Sequence, residues 1–282
     1  ARECKDWKKA VALLRILSKE APEDTLVSIW LSEATELALA EERSAGAIET
    51  VASPLAAGVA DLSPGVRLDA ELLLEFESLG GNMGGCEFGF FQRDHGAEPL
   101  SLLRWANVEP DDLARALKNG FRGIGEAEAT VLSPQGHRDW QVTDKTYNIR
   151  IDHTHLDRDK VSLDEAKTSM TRRLRFLARD LIEELSEEQK IFVYKMTNRD
   201  FPVGKATDLF SVMKTYGENN KLLFVVHDSD ISAPFVIEKI DRGLVIARIK
   251  HDESQYGPIN SDAWMALCKR VHETLSHGAD SA

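Results

Sequence analysis

Phe76-Glu-Ser-Leu-Gly-Gly-Asn-Met-Gly-Gly-Cys-Glu-Phe-Gly-Phe-Phe-Gln-Arg93 is the stretch on which the reading of the fold turns. An apolar run, Leu72 to Leu79, predicts a strand over 73–79 that is buried on both faces. Gly80, Gly81, Gly84 and Gly85 then form a turn, and Glu87–Asp94 is expected to be helical. Glycine lets such a turn take left-handed or tight conformations. Cys86 stands where the helix begins, and the positive end of a helix dipole favours thiolate. Cys86 is therefore the candidate nucleophile, with Asn82 offering an amide and the Gly84 and Gly85 N–H groups a nest for an oxyanion or substrate anion.

Outward from this stretch, strands and helices alternate. Strands are expected at Ala129–Leu132, Trp140–Ile151, Lys190–Met196 and Leu222–His227, with a late pair at Phe235–Ile240 and Leu244–Ile249. Between them lie helical patterns at 109–120, 162–186 and 205–216, and another closes the chain at 263–277. Ser162 with Glu165 reads as a capping box. This alternation predicts an α/β fold: a largely parallel sheet flanked by helices in three layers, with the late pair as an antiparallel edge. Upstream, 1–52 reads as a helical hairpin similar to one tetratricopeptide-type unit, with Trp7 near the start of the first helix and Trp30 in the second. One such unit cannot bury its own face, so it must stack on a neighbour, which makes it a candidate docking site for a protein partner. Residues 53–70 are rich in small and turn-forming residues and read as a linker, leaving 71–282 as the α/β domain.

The chain has 282 residues, 43% hydrophobic and 29% charged, with a net charge of −12. This composition suits a globular protein with a sizeable core. The acidic balance, with no basic stripe interleaved with aromatics, argues against nucleic acid as partner. No run of about 18 apolar residues predicts a transmembrane helix, and no signal-peptide pattern is visible. The chain begins at Ala1 rather than Met, which leaves room for sequence upstream. Three widely spaced cysteines, Cys4, Cys86 and Cys268, argue against a disulfide framework and for a reducing, cytoplasmic compartment.

A thiol nucleophile needs a base. The densest group of candidates is Asp152-His-Thr-His-Leu-Asp157. His153 and His155 are two apart and share a side if the segment is extended, and Asp152 could orient an imidazole. The same pattern would bind a metal only with a third ligand, such as His227 or Asp228. No metal site is assigned, and no cofactor is indicated. His227-Asp228 ends an apolar strand, as Thr197-Asn-Arg-Asp200 and the glycine turn end theirs. Three polar loops beyond strand carboxyl ends would make a site for a small-molecule, glycan or peptide substrate. Arg172 and Arg175 share a helix face and could hold a phosphate or carboxylate; the alternative is a salt-bridged surface beside Asp180 and Glu183.

The segments Ser78-Leu-Gly-Gly-Asn, Cys86-Glu-Phe-Gly-Phe-Phe-Gln-Arg93, Gly96-Ala-Glu-Pro-Leu-Ser-Leu-Leu-Arg-Trp105 and Arg172-Arg-Leu-Arg-Phe176 carry a resemblance. Over roughly 72–275 the chain resembles the DUF1796 family, described as papain-like cysteine peptidases, some of whose relatives are labelled as glycosyltransferase-like or polysaccharide-associated. The resemblance implies Cys86 as nucleophile, with His153 or His155 as base and Asp152 beside it. Where the family has Asn directly before Cys, this chain has Met83-Gly84-Gly85 between Asn82 and Cys86. Three functions are thus expected in competition. One is a Cys-dependent hydrolase or acyl transferase. The second is a sugar-nucleotide glycosyltransferase or other polysaccharide-modifying enzyme, using Asn82, Arg172, Arg175, His227 and Asp228, with Cys86 structural. The third is a non-catalytic interaction module.

Overall fold

The computed structural model describes residues 64–82, 85–134, 138–197, 202–250 and 259–276. The expected helical hairpin of 1–52, most of the linker, Gly84 and the loop at 198–200 lie outside the described residues. The chain divides into two compact units, 1–67 and 68–282, of which the second is the α/β unit.

The described part begins with helix α1 (Pro64–Leu73), so the end of the expected linker is helical and Leu73 closes a helix rather than opening a strand. Strand β1 (Phe76–Gly81) and helix α2 (Glu87–Asp94) follow, as the opening stretch predicts. Then come β2 (Ala106–Asn107), α3 (Pro110–Lys118), β3 (Thr130–Ser133), β4 (Gln141–Asp144), β5 (Ile149–Ile151) and α4 (Leu163–Glu187). The chain continues through β6 (Ile191–Met196), α5 (Val203–Lys214), β7 (Lys221–Asp228), β8 (Phe235–Lys239), β9 (Leu244–Lys250) and α6 (Ser261–Ser276). Ser162 and Glu165 do form the capping box of α4: Glu165 N–H donates to Ser162 Oγ at 3.4 Å and Ser162 N–H to Glu165 Oε2 at 3.0 Å.

The nine strands form one sheet in the order β3-β4-β5-β2-β1-β6-β7-β9-β8. The sheet is mixed, which corrects the expectation of a largely parallel one. Strands β2, β1, β6, β7 and β9 are parallel to their neighbours in that run. Strands β3, β4 and β5 form an antiparallel meander against β2, and β8 pairs antiparallel with β9. The physical reason is connection length. Residues 130–151 hold three strands with no helix between them, and a parallel pair needs a crossover of a dozen or more residues. The expected single strand 140–151 breaks at Asn148, which sits at φ 53°.

One face of the parallel run carries Phe76, Ile191, Val193, Leu223, Val225, Val245, Ala247 and Ile249. It packs under Phe88 and Phe91 of α2 and Trp264, Leu267, Cys268 and Val271 of α6. Alternate residues, including Tyr194, Phe224 and Ile246, turn to the other face, where α3 and α5 pack on one another and α5 meets β7 and β9. Connection β1–α2–β2 steps one way along the sheet, and β6–α5–β7 steps the other. Right-handed crossovers in opposite directions put their helices on opposite faces. Strand order therefore reverses between β1 and β6, and the crevice outside their carboxyl ends is where open α/β sheets bind ligands.

Candidate functional site at the carboxyl edge of the sheet

Strand β1 reaches this edge through a bulge. Its register to β6 shifts between Ser78 and Gly81, and Gly80 takes φ 73° there. A Cβ on Gly80 would stand 2.6 Å from the Ala106 carbonyl oxygen, so the position excludes larger residues twice over. A Cβ on Gly85 would meet the same oxygen at 2.2 Å. The turn is thus folded down against β2. Asn82 ties it to β6: Thr197 N–H and Oγ1 donate to Asn82 Oδ1 at 3.0 and 3.2 Å.

Period-two alternation puts Lys195 and His227 on the same face as Val193 and Val225, one step beyond the apolar core. A cation inside a buried strand must be paired. Glu87, in the first turn of α2, supplies the pair: Lys195 Nζ lies 2.5 Å and His227 Nε2 3.2 Å from its Oε2. Trp264 Nε1 donates to Glu87 Oε1 at 2.8 Å. Lys195 and His227 side chains are 3% and 7% exposed, so this network is desolvated. Burial alone would raise the Glu87 carboxyl. The hydrogen bond from His227 and the charge of Lys195 outweigh it and bring it down to about 2. Nε2 is the ring nitrogen that faces Glu87, so the carboxylate fixes the orientation of the imidazole.

Cys86 stands at the N-cap of α2, as expected, but its environment opposes thiolate. Burial pushes the thiol up, the Asp152 carboxylate adds to the rise, and Lys195 offsets only part of it. Among the described residues its Sγ makes no hydrogen bond to an imidazole. Asp152 accepts from Asn107 Nδ2 at 2.6 Å and Gln141 Nε2 at 2.5 Å, and pairs with Arg150 at 3.3 Å. Its partners are amides and a guanidinium, not a histidine. The Gly85 N–H is already given to Asn107 Oδ1 at 3.3 Å.

The other expected residues lie apart. His153 packs edge-on to Phe90 and Trp105, with ring centroids 5.0 and 5.5 Å away. His155 meets Trp105 at 6.4 Å and takes φ 59°. Asp228 ends β7 at the same edge as His227 and pairs with Arg248 at 3.0 Å. Arg175 pairs with Glu126 at 3.2 Å, in the loop before edge strand β3, and Arg172 is half-buried on the same helix. The structure therefore gathers Asn82, Gly85, Cys86, Asp152, His227 and Asp228 along one edge and leaves Arg175 elsewhere. Sequence reasoning missed Glu87, Lys195 and Trp264. Among the described residues, no three His, Cys, Asp or Glu side chains converge to hold a metal ion, and no helix is long and apolar enough to cross a membrane.

Compared with known proteins, the chain matches no protein-family model, no curated protein and no solved structure.

Proposed function

We propose that the chain is a group-transfer enzyme of the sugar-nucleotide-using, polysaccharide-modifying kind, in which His227 moves the proton and Cys86 has no covalent role. The observation that supports this reading best is the His227–Glu87 pair at the reversal of strand order. Transfer of a glycosyl group to a hydroxyl requires removal of that hydroxyl's proton. The oxygen forms its bond to the anomeric carbon, the bond from that carbon to the nucleotide phosphate breaks, and the nucleoside diphosphate leaves. The His227 imidazole, oriented by Glu87, is suited to take the proton, and the resulting imidazolium is stabilised by the same carboxylate. A neutral thiol beside Asp152 is poorly suited to attack an acyl carbon.

The test is a panel of nucleoside-diphosphate sugars, scored by thermal shift and by release of nucleoside diphosphate to glycan acceptors. Wild type and Cys86→Ala should bind and turn over alike, while His227→Gln should fold and lose about a hundredfold or more in rate. No binding of any sugar nucleotide, or loss of all activity in Cys86→Ala with retained melting temperature, overturns the reading.

A further inference from the structure

We infer a second ligand site, separate from the Glu87–His227 edge, that takes the phosphoryl group of a small molecule. It is a cleft of about 200 Å³ lined by three arginines: Arg93 from the last turn of α2, Arg104 from the loop before β2, and Arg173 from α4. His155 and Trp105 complete its polar wall. The sole acidic residue of the lining is Glu98, whose charge acts on Arg104.

The arginines are fixed before any ligand arrives. Arg104 is 3% exposed. Its Nη2 donates to the Gly89 and Ala97 carbonyls at 3.0 and 3.1 Å, and Nη1 to the Pro99 carbonyl at 3.4 Å. Its Nε is buried with no partner. A guanidinium has five N–H groups, so two of them, Nε–H and the second on Nη1, are uncommitted among the described residues. Trp105 holds two of the cations by its ring, with Arg104 4.7 Å and Arg93 5.5 Å from the centroid. Arg93 also lies 4.9 Å over Phe90 and has no carboxylate partner among the described residues. Arg173 donates from Nη1 to the Thr154 carbonyl at 3.0 Å, and desolvation lowers its guanidinium.

Three arginines against one carboxylate leave the lining of the cleft net positive, and such a lining attracts an anion. The Glu98 and Glu77 carboxylates offset part of the desolvation of Arg104, and Arg93 works against it. The geometry points to phosphate rather than a metal-bound or apolar ligand, because planar guanidinium forks match tetrahedral oxyanions bidentately. The cleft is smaller than the 300–1,000 Å³ of sites that enclose drug-sized ligands. It fits a phosphoryl group with a short body, or phosphate itself, and excludes a polymer.

The experiment is isothermal titration of the full chain with inorganic phosphate and with glucose 6-phosphate, at constant ionic strength, with sodium acetate as the control anion. Saturable binding of a phosphate compound is expected, weakened about tenfold or more by Arg173→Gln and by Arg93→Gln, and unchanged by His227→Gln. Equal affinity for both ligands would identify free phosphate as the source, and tighter binding of the sugar phosphate a phosphorylated metabolite; both uphold the site. Absence of saturable phosphate binding in the wild type, binding indifferent to both arginine changes, or loss in His227→Gln equal to that in Arg173→Gln would each overturn it. The last outcome leaves the proposed transfer reaction standing, since that reaction is scored by nucleoside diphosphate release.

Discussion

Glu77→Gln should abolish part of a pH dependence that the wild-type fold carries in its core. Glu77 is on β1 with 1% exposure, and its Oε2 has no partner. Ser101 hydrogen-bonds to it; Glu184 and Asp180 of α4 lie near, with Lys190 and Arg104 as the neighbouring cations. Burial pushes Glu77 up from the ordinary glutamate value of 4.5 to about 7. Burial, and then the charge of Glu77, push Glu184 up as well. The two titrate as a unit. Below pH 4.5 the native and unfolded chains both hold the protons, and the pair costs nothing. As pH rises, the unfolded chain releases protons that the native chain keeps, so native stability falls until the native carboxyls ionise in turn. Each retained proton costs about 1.4 kcal/mol per pH unit.

Replacing Glu77 by Gln removes one such proton and leaves that of Glu184. Wild type and variant should therefore be nearly equal in stability at pH 5. They should diverge by roughly 2 kcal/mol by pH 7, with the variant the more stable. Urea unfolding followed by tryptophan fluorescence at pH 5, 6, 7 and 8 measures this, provided the urea dependence is the same in both proteins. Glu184→Gln should diverge in the same direction and further toward pH 8, because Glu184 is pushed up to about 9, and the double variant should gain less than the sum, because the two carboxyls share one environment. Parallel stability curves across the whole range would refute the reasoning: Glu77 would then be ionised and compensated in the native state.

Four further outcomes follow from the same geometry. Lys195→Met leaves the buried Glu87 carboxylate with His227 and Trp264 alone and should cost about 3 kcal/mol in urea unfolding, much of it recovered by adding Glu87→Leu. Alkylation of Cys86 by iodoacetamide at pH 7 should lag behind that of free cysteine and climb as pH passes the ordinary thiol value of 9.0, because burial and Asp152 raise the thiol; faster labelling than free cysteine would restore it as a nucleophile. Gly85→Ala, whose Cβ would lie 2.2 Å from a backbone oxygen, should lose about 2 kcal/mol or more. Gly204→Ala, in α5 with nothing within 4 Å of the new Cβ, should gain about 0.5–1 kcal/mol.

The central strands were legible because both their faces are buried, which leaves an unbroken apolar run such as Ile191-Phe-Val-Tyr194 or Leu222-Leu-Phe-Val-Val226. The antiparallel meander was harder to read. Its strands are three or four residues long, and in β4 burial alternates with half-exposure. Pattern alone merges β4 and β5 into one segment, although Asn148 offered the turn residue that divides them. Residues of the Glu87 network escaped for a different reason: Glu87, Lys195 and Trp264 meet only through the sheet, and no spacing announces them. Lys195 still carried a signal, since a cation at the end of an apolar strand requires a buried partner.

Arg173 shows the limit most sharply. Residues 172 and 175 share a helix face, and that argument selected them as anion ligands. The same helix periodicity, anchored on what α4 buries, selects differently. Ala166, Met170, Leu174, Leu177, Leu181 and Leu185 form the buried stripe. Arg173 is three residues from Met170 and four from Leu177, so it lies along the stripe, and its guanidinium is carried inward to the Thr154 carbonyl. Arg175 falls outside the stripe and is left with Glu126 at the surface. A charged residue on the apolar flank of a helix must end beside a partner or a ligand, whereas two charges that merely share a face are ordinarily solvated. The stripe was calculable from sequence. Its partners, Arg93 and Arg104, were not, because they come from α2 and an irregular loop that only the folded sheet brings to α4.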